Sequence, residues 1–267
     1  MKELCFLNGE LMPIGKASLP LTDLAILRGY GIFDFFRAID GKPMFLQQHL
    51  DRFERSAKAM HLPIPPRGEL ETQILTLIEQ NAAPTLGIKL IATGGNSLDG
   101  YEPAETTTFV LARPFNMPSR DSNLKLMTVK HRRELPEIKS LNYIFPIQTL
   151  PQQRAAQAND VLYHFGGYIS ESSRSNIFIV KNEKLITPKN FVLHGITRQN
   201  ILEVAKNHFE IEQRAVKIHE IWEADEILMS SSTRRVSRIG QVDNHKFTQT
   251  KAMNKIYDLL LEKEKLE

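Results

Sequence analysis

Apolar residues recur along this chain with two spacings, every second position and every third or fourth, and the changes of spacing outline its elements. Leu4 to Pro13 reads as a strand, an Asn8-Gly9 turn and a second strand, because an Asn-Gly pair between short apolar runs marks a hairpin. After a Gly29-Tyr30-Gly31 turn, Ile32 to Ile39 is apolar and aromatic enough for a strand, and Asp40-Gly41 is the next hairpin turn. Leu46, Leu50, Phe53 and Ala57 then recur at helical spacing with Asp51, Arg52, Glu54 and Lys58 between them. Pro63, Pro65 and Pro66, which cannot donate to a helix ladder, end that helix. Glu69 to Glu79 predicts a second amphipathic helix, with Leu70, Ile74, Leu77 and Ile78 on one side. Ile88 to Thr93 and Thr107 to Ala112 are β-rich runs joined by a loop containing Gly94-Gly95-Asn96.

The second half repeats the mixture without repeating the sequence. Leu124 to Val129 resembles a strand, Tyr143 to Ala158 a helix interrupted near its start by Pro146, and Val161 to His164 a strand. A turn between strands falls within Tyr168 to Val180, a helix over Thr197 to Phe209, and a strand over Glu226 to Met229. Arg113 to Ser119 has the prolines and polar residues of a linker. The expected division is a small N-terminal α/β domain over residues 1–116, an interdomain linker at 117–122 and a larger C-terminal domain over 123–267. The fold class is therefore α/β in the mixed α+β sense, two domains with a ligand in the cleft between them.

Composition narrows the function classes. With 34 Lys and Arg against 31 Asp and Glu, the formal charge is only +3, too small and too evenly spread to make nucleic acid the partner. The densest basic stretch, Lys130 to Arg133, reads as a local patch. A single cysteine, Cys5, excludes an internal disulfide and a cysteine metal cluster, and the eight histidines lack metal-ligand spacing, so no metal is expected. Met1 to Glu10 places Lys2, Glu3 and Glu10 around a short apolar run, unlike a signal peptide or a membrane span, and a cytoplasmic location is the expectation.

Candidate chemistry is scattered. Lys139, in Ile138-Lys139-Ser140-Leu141-Asn142, is either a solvated surface lysine or a Schiff-base amine in a partly desolvated site. Glu171, in Tyr168-Ile169-Ser170-Glu171, is either a turn glutamate or a carboxylate that holds a pyridine nitrogen protonated and makes the ring an electron sink. Gly195-Ile196-Thr197 opens a helical pattern, where N–H groups, a hydroxyl and the helix dipole suit an anion as well as a simple N-cap. Ser230 to Thr233 is a polar turn that also supplies hydroxyls, and Arg52 offers a guanidinium for phosphate or for a surface ion pair.

The order Arg52, Lys139, Glu171, Gly195-Ile196-Thr197, Ser231-Ser232 resembles the class IV pyridoxal-phosphate aminotransferases, a family of branched-chain aminotransferases, D-amino-acid aminotransferases and aminodeoxychorismate lyases. The stretches Ile138 to Asn142, Tyr168 to Glu171 with Ser175 to Phe178, and Gly195 to Arg198 carry the resemblance, which extends from about Phe6 to Asp243. It implies a fold-type IV enzyme with pyridoxal 5′-phosphate in the interdomain cleft and a homodimer completing its active sites across the interface. Lys139 would carry the cofactor and shuttle a proton, Glu171 would pair with the pyridine nitrogen, and Leu193 would pack on the ring. Arg52, Ile196, Thr197, Ser231 and Ser232 would cradle the phosphate.

Substrate signals diverge. Glu171 to Asn176 looks closer to the D-amino-acid enzymes, whereas Phe33 looks like the branched-chain group. The D-amino-acid enzymes bind the α-carboxylate with an Arg-x-His pair in the loop occupied here by Gly94 to Tyr101, where this chain has Leu98, Asp99 and Gly100. A carboxylate in an apolar pocket still needs a cation. Arg28 from the partner subunit, with Arg37 or Arg174, is the expected replacement, and Arg234 and Arg235 are a further departure that would favour an acidic substrate. The expected activity is amino-group transfer between an amino acid and a 2-oxo acid. Aminodeoxychorismate lyase activity and a non-catalytic phosphate-ligand-binding protein are the alternatives.

Overall fold

A computed structural model describes residues 3–81 and 83–267, so Met1 and Lys2 of the N-terminal reading lie outside the described residues. The chain forms two compact units, one of residues 1–116 with 138–143 and 267, the other of 117–137 with 144–266.

The first unit holds strands β1 (Leu4–Leu7), β2 (Glu10–Pro13), β3 (Gly31–Ile39), β4 (Lys42–Pro43), β5 (Thr85–Thr93) and β6 (Thr107–Pro114) and helices α1 (Leu24–Arg28), α2 (Leu46–Ala59) and α3 (Arg67–Gln80). The strands make one antiparallel sheet in the order β2-β1-β6-β5-β3-β4. Both expected hairpin turns form, with Asn8-Gly9 and Asp40-Gly41 at positive φ throughout, the backbone a two-residue hairpin loop requires. One sheet face and the apolar stripes of α2 and α3 bury Ile32, Phe36, Ile88 and Leu90 with Leu50, Phe53, Ile74 and Leu77. Side chains alternate along a strand, so Phe33, Phe35 and Arg37 of β3 and Lys89 and Ile91 of β5 share the opposite face.

The second unit holds β7 (Asn123–Lys130), α4 (Ile144–Gln148), α5 (Leu150–Ala155), β8 (Asp160–Phe165), β9 (Tyr168–Ser172), β10 (Asn176–Lys181), β11 (Lys184–Pro188), α6 (Ile196–Ala205), β12 (Glu210–Arg214), β13 (Val216–Lys217), α7 (His219–Trp222), β14 (Glu226–Ser231), β15 (Arg235–Val242), β16 (His245–Lys246) and α8 (Lys251–Glu264). Its ten-stranded mixed sheet runs β12-β11-β10-β14-β15-β7-β8-β9-β13, with β16 on β15. An additional pairing of Asn176 with Glu171 joins β10 to β9 and closes the strands between them into a ring. Ile177, Ile179 and Ile227 fill one core, while Phe178, Leu228, Ile201, Ile256 and Leu260 form another beneath α6 and α8.

Two expectations are corrected. The single helix over Tyr143 to Ala158 is two short ones broken at Thr149, because Pro151 enters the first turn of α5 without the N–H that would continue the ladder. The helix expected to reach Phe209 stops at Ala205, where His208 and Phe209 both donate to the Ala205 carbonyl and Phe209 turns onto the core. Helix α8 is not among the expected elements, although Ala252, Met253, Ile256 and Leu260 carry its buried stripe.

Candidate active site

Lys139 lies in a segment with no helix or strand of its own, yet its backbone is fixed. Phe33 N–H donates to the Lys139 carbonyl at 2.9 Å, Leu141 N–H donates to the Gly31 carbonyl at 2.9 Å, and Ile32 bridges Ser140. Gly31 permits this approach, since a Cβ there would stand 2.6 Å from Leu141 Cδ1 and 2.7 Å from the Ala92 carbonyl. The Lys139 ammonium sits 4.4 Å from the centre of the Phe33 ring, and Lys89 Nζ sits 5.1 Å from the same centre. Burial pushes the Lys89 ammonium below the usual lysine range.

On the helix side of the same sheet, Arg52 is 4% exposed and grips Asp34 with two hydrogen bonds, Nε to Oδ2 at 2.8 Å and Nη2 to Oδ1 at 2.7 Å. His49 Nδ1 lies 2.7 Å from Asp34 Oδ1. Burial alone would raise the Asp34 carboxyl, but the Arg52 charge and the hydrogen bonds hold it well below the usual carboxylate range. Burial, aided by the Arg52 and Lys139 charges, lowers the His49 ring despite Asp34. His49 is therefore neutral, its Nδ1 proton directed at Asp34. Arg52 Nη1 makes no hydrogen bond among the described residues.

In the second unit, Glu171 is 3% exposed at the end of β9. Its Oε1 accepts from Arg133 Nη1 at 2.7 Å and its Oε2 from the Leu193 N–H at 2.9 Å. In the sequence Arg133 reads only as part of a basic patch; nothing in its neighbourhood pairs it with a glutamate 38 positions later. The Leu193 carbonyl accepts from Asn176 Nδ2 and the Gly195 N–H, both at 2.8 Å, which fixes the segment entering α6. A Cβ at Gly195 would overlap Asn176 Oδ1, so this contact requires glycine.

Gly195 caps α6 without a side chain, leaving the first N–H groups of the helix, at Ile196 and Thr197, outside its ladder. Asn176 is register partner to Ser230 of β14, which brings the Ser231-Ser232 turn to the same edge. Ser231 Oγ lies 2.9 Å from Thr233 Oγ1, the Thr197 and Ser232 hydroxyls have no hydrogen-bond partner among the described residues, and Ser230 Oγ is buried without one. Free N–H groups at a helix start beside unpaired hydroxyls suit a phosphate, so these residues fit a phosphorylated cofactor.

The proposed substrate arginines sit on separate elements of the chain. Arg28 ends α1, is exposed, and donates to the Leu27 carbonyl at 3.0 Å; Arg37 is 3% exposed and lies six residues along β3 from Gly31, about 20 Å at strand rise. Arg174 is exposed in the β9–β10 turn of the other unit. Arg235 is already engaged: its guanidinium pairs with Glu264 of α8 at 2.7 Å, both largely buried, so it serves packing and not an acidic substrate. Arg234 has no such partner among the described residues.

A fold-type IV architecture with an anion-suited helix start and a buried, guanidinium-paired glutamate defines a class of cofactor enzymes, and comparison with known proteins names the family. The model of the class IV amino-transferases matches residues 31–242, and the chain belongs to that family of pyridoxal-phosphate enzymes. Over 251 residues it is 29% identical to a Methanocaldococcus jannaschii protein with a provisional branched-chain-amino-acid aminotransferase name, covering 89% of this chain and 87% of that one. A D-alanine aminotransferase of Staphylococcus epidermidis is 26% identical over 249 residues, 89% of this chain and 88% of its own. The fold matches the branched-chain aminotransferase of the archaeon Thermoproteus uzoniensis solved with norvaline, at a TM-score of 0.90 and 23% identity, over 98% of this chain and 96% of that one. Another branched-chain amino acid aminotransferase, from T.th., was solved with N-(5′-phosphopyridoxyl)-L-glutamate and matches at the same TM-score of 0.90 with 22% identity, over 98% of this chain and 93% of that one. Among the described residues, no helix is long and apolar enough to cross a membrane.

Proposed function

We propose that the enzyme transfers an amino group between an amino acid and a 2-oxo acid, with D-amino acids favoured over branched-chain L-amino acids. The observation that carries this reading is Glu171, a buried carboxylate with both oxygens fixed by Arg133 and the Leu193 N–H, on the strand that leads into the Ser172–Asn176 turn. Bound pyridoxal phosphate supplies a carbonyl for an amine and a ring that takes up the electron pair released at the substrate Cα. Lys139 binds the cofactor and moves the proton at Cα; its pinned backbone holds the amine beside Phe33. Glu171 holds the ring nitrogen, Leu193 packs on the ring, and Ile196, Thr197, Ser231, Ser232 and Arg52 hold the phosphate, Arg52 with the nitrogen that Asp34 leaves free. Arg28 from a second copy meets the substrate α-carboxylate, and Phe33, Arg37 and Arg174 complete the substrate contacts. A cytoplasmic homodimer, with a small domain over 1–116, a linker at 117–122 and a cofactor-binding domain over 123–267, belongs to the same proposal.

The test is a panel of D- and L-amino acids with aminodeoxychorismate, following cofactor absorbance and pyruvate. Conversion to a stable pyridoxamine form by an amino acid is the expected result. Pyruvate release from aminodeoxychorismate without that conversion would make the protein a lyase. Absence of cofactor absorbance after pyridoxal phosphate is added would make it a non-catalytic phosphate-ligand binder.

A further inference from the structure

The second unit carries a cavity of about 310 Å³ lined by Arg132, Phe165, Tyr168, Ser170, Pro188 and Phe191 among others, and none of these six has a part in the proposed reaction. Three aromatic side chains around it stand half in solvent: Phe165 is 48% exposed, Tyr168 44% and Phe191 53%. Phe165 and Tyr168 are register partners across the Gly166-Gly167 turn of the β8–β9 hairpin. Along β9, alternation sends Tyr168 and Ser170 to the face opposite Glu171, which separates the cavity from the residues assigned to the cofactor.

Phe191 is the unusual member. Its backbone sits in the left-handed region at φ 58°, which a bulky side chain adopts only at a cost, and its exposure shows that core packing does not offset that cost. Its ring instead meets the Arg132 guanidinium, whose central carbon lies 4.6 Å from the centre of Phe191 and 5.0 Å from that of Phe165. Rings hold a guanidinium by its face and leave its in-plane N–H groups for an anion. Arg132 makes no hydrogen bond or ion pair among the described residues, and the Ser170 hydroxyl has no partner either. Flat apolar walls therefore stand beside a fixed planar cation and a free hydroxyl. A carboxylate matches the donors, an arene matches the rings, and the volume holds a molecule of one or two fused rings.

We propose that this cavity binds a small aromatic carboxylate, stacked on Phe165, Tyr168 and Phe191 and paired with Arg132, and that its occupant alters how the protein holds its cofactor. The second half follows from chain continuity. Arg132 precedes Arg133, which donates to Glu171 Oε1, and Phe191 lies two residues before Leu193, whose N–H donates to Glu171 Oε2.

Calorimetric titration of the cofactor-loaded protein with 2-naphthoate tests the site. The expected Kd is below about 1 mM, weakened about tenfold in Arg132→Gln and in Phe191→Asn. Asparagine tolerates the left-handed backbone, so Phe191→Asn loses naphthoate at an unchanged melting temperature. Naphthalene-2-methanol, without the charge, and cyclohexanecarboxylate, without the arene, each bind about tenfold more weakly than naphthoate. Arg28→Ala, which removes the cation assigned to a substrate carboxylate, leaves the Kd within about twofold. Saturating naphthoate changes the rate of cofactor loss on dilution, followed by absorbance, by about twofold or more in wild type and leaves it unchanged in Arg132→Gln. No binding by wild type up to about 10 mM, wild-type affinity in Arg132→Gln and Phe191→Asn, or loss of binding in Arg28→Ala alone overturns the site. A lower melting temperature with unchanged binding in Phe191→Asn assigns that ring to packing and counts against it as well. Identical rates of cofactor loss with and without naphthoate overturn the coupling.

Discussion

Arg52 and Asp34 meet through two hydrogen bonds of 2.8 and 2.7 Å beneath the sheet of the first unit, so the arginine proposed to hold a phosphate is itself held by a buried carboxylate. Their sequence separation of 18 brings a residue of β3 to one of α2, and both are almost fully buried. A guanidinium oriented this way keeps its free nitrogen in one direction, which a flexible surface arginine would not.

Removing Asp34 therefore leaves a buried charge without its partner. Asp34→Ala is expected to destabilise the protein by about 3–5 kcal/mol, because it leaves the Arg52 charge buried without its partner. Chemical denaturation of the cofactor-free protein measures this, and a change below about 1 kcal/mol would show that the pair does little for the fold.

Stability is also expected to fall with pH through the same cluster. The His49 ring has its pKa lowered in the folded state, so below the unfolded histidine value of about 6.5 the unfolded chain takes up a proton that the native chain does not. That contribution is complete above about pH 6.5 and is lost as pH drops towards the folded value. Asp34, also lowered, adds its own loss only below about pH 4. Denaturation midpoints between neutral pH and pH 5 should decline less steeply for His49→Gln than for wild type; identical slopes would remove His49 from the account.

Glu171→Gln is expected to cut the amino-acid half-reaction by about 10²–10⁴-fold, in the range for losing a positioned proton-transfer group. The amide oxygen can keep only one of the two bonds, from the Leu193 N–H or from Arg133, and the NH2 group then faces the other donor, so the melting temperature should fall as well. Stopped-flow absorbance checks the rate and calorimetry the fold. Retention of the wild-type rate would dissociate Glu171 from the cofactor.

Gly195→Ala is expected to cost about 1–3 kcal/mol, since its methyl group displaces Asn176 and with it the bond to the Leu193 carbonyl. The same displacement shifts the α6 start, so pyridoxal phosphate should bind more weakly. Thermal melts and cofactor titration by fluorescence read the two effects separately. Unaltered cofactor affinity would argue against phosphate at this helix start.

Local signals are legible wherever a few neighbouring residues decide the conformation. The Asn8-Gly9 and Asp40-Gly41 turns, the apolar stripes of α2 and α3, and the Gly195-Ile196-Thr197 helix start all follow from φ preferences and side-chain period. The segment Tyr143 to Ala158 departs from the expected single helix because Pro151, not Pro146, sets the break, and the run of apolar residues across it hides the change.

Residue order along the chain was enough to mark Lys139, Glu171 and the α6 start as members of one family's pattern, because the chemistry of a lysine amine, a carboxylate and free N–H groups belongs to the residues themselves. Which partners those groups have was decided only by the fold. Arg133 on Glu171, Asp34 on Arg52 and Glu264 on Arg235 come from strand register and helix packing. The reason is physical: a charge is neutralised by what lies within a few ångströms of it, and that distance is set by tertiary structure and not by position in the chain.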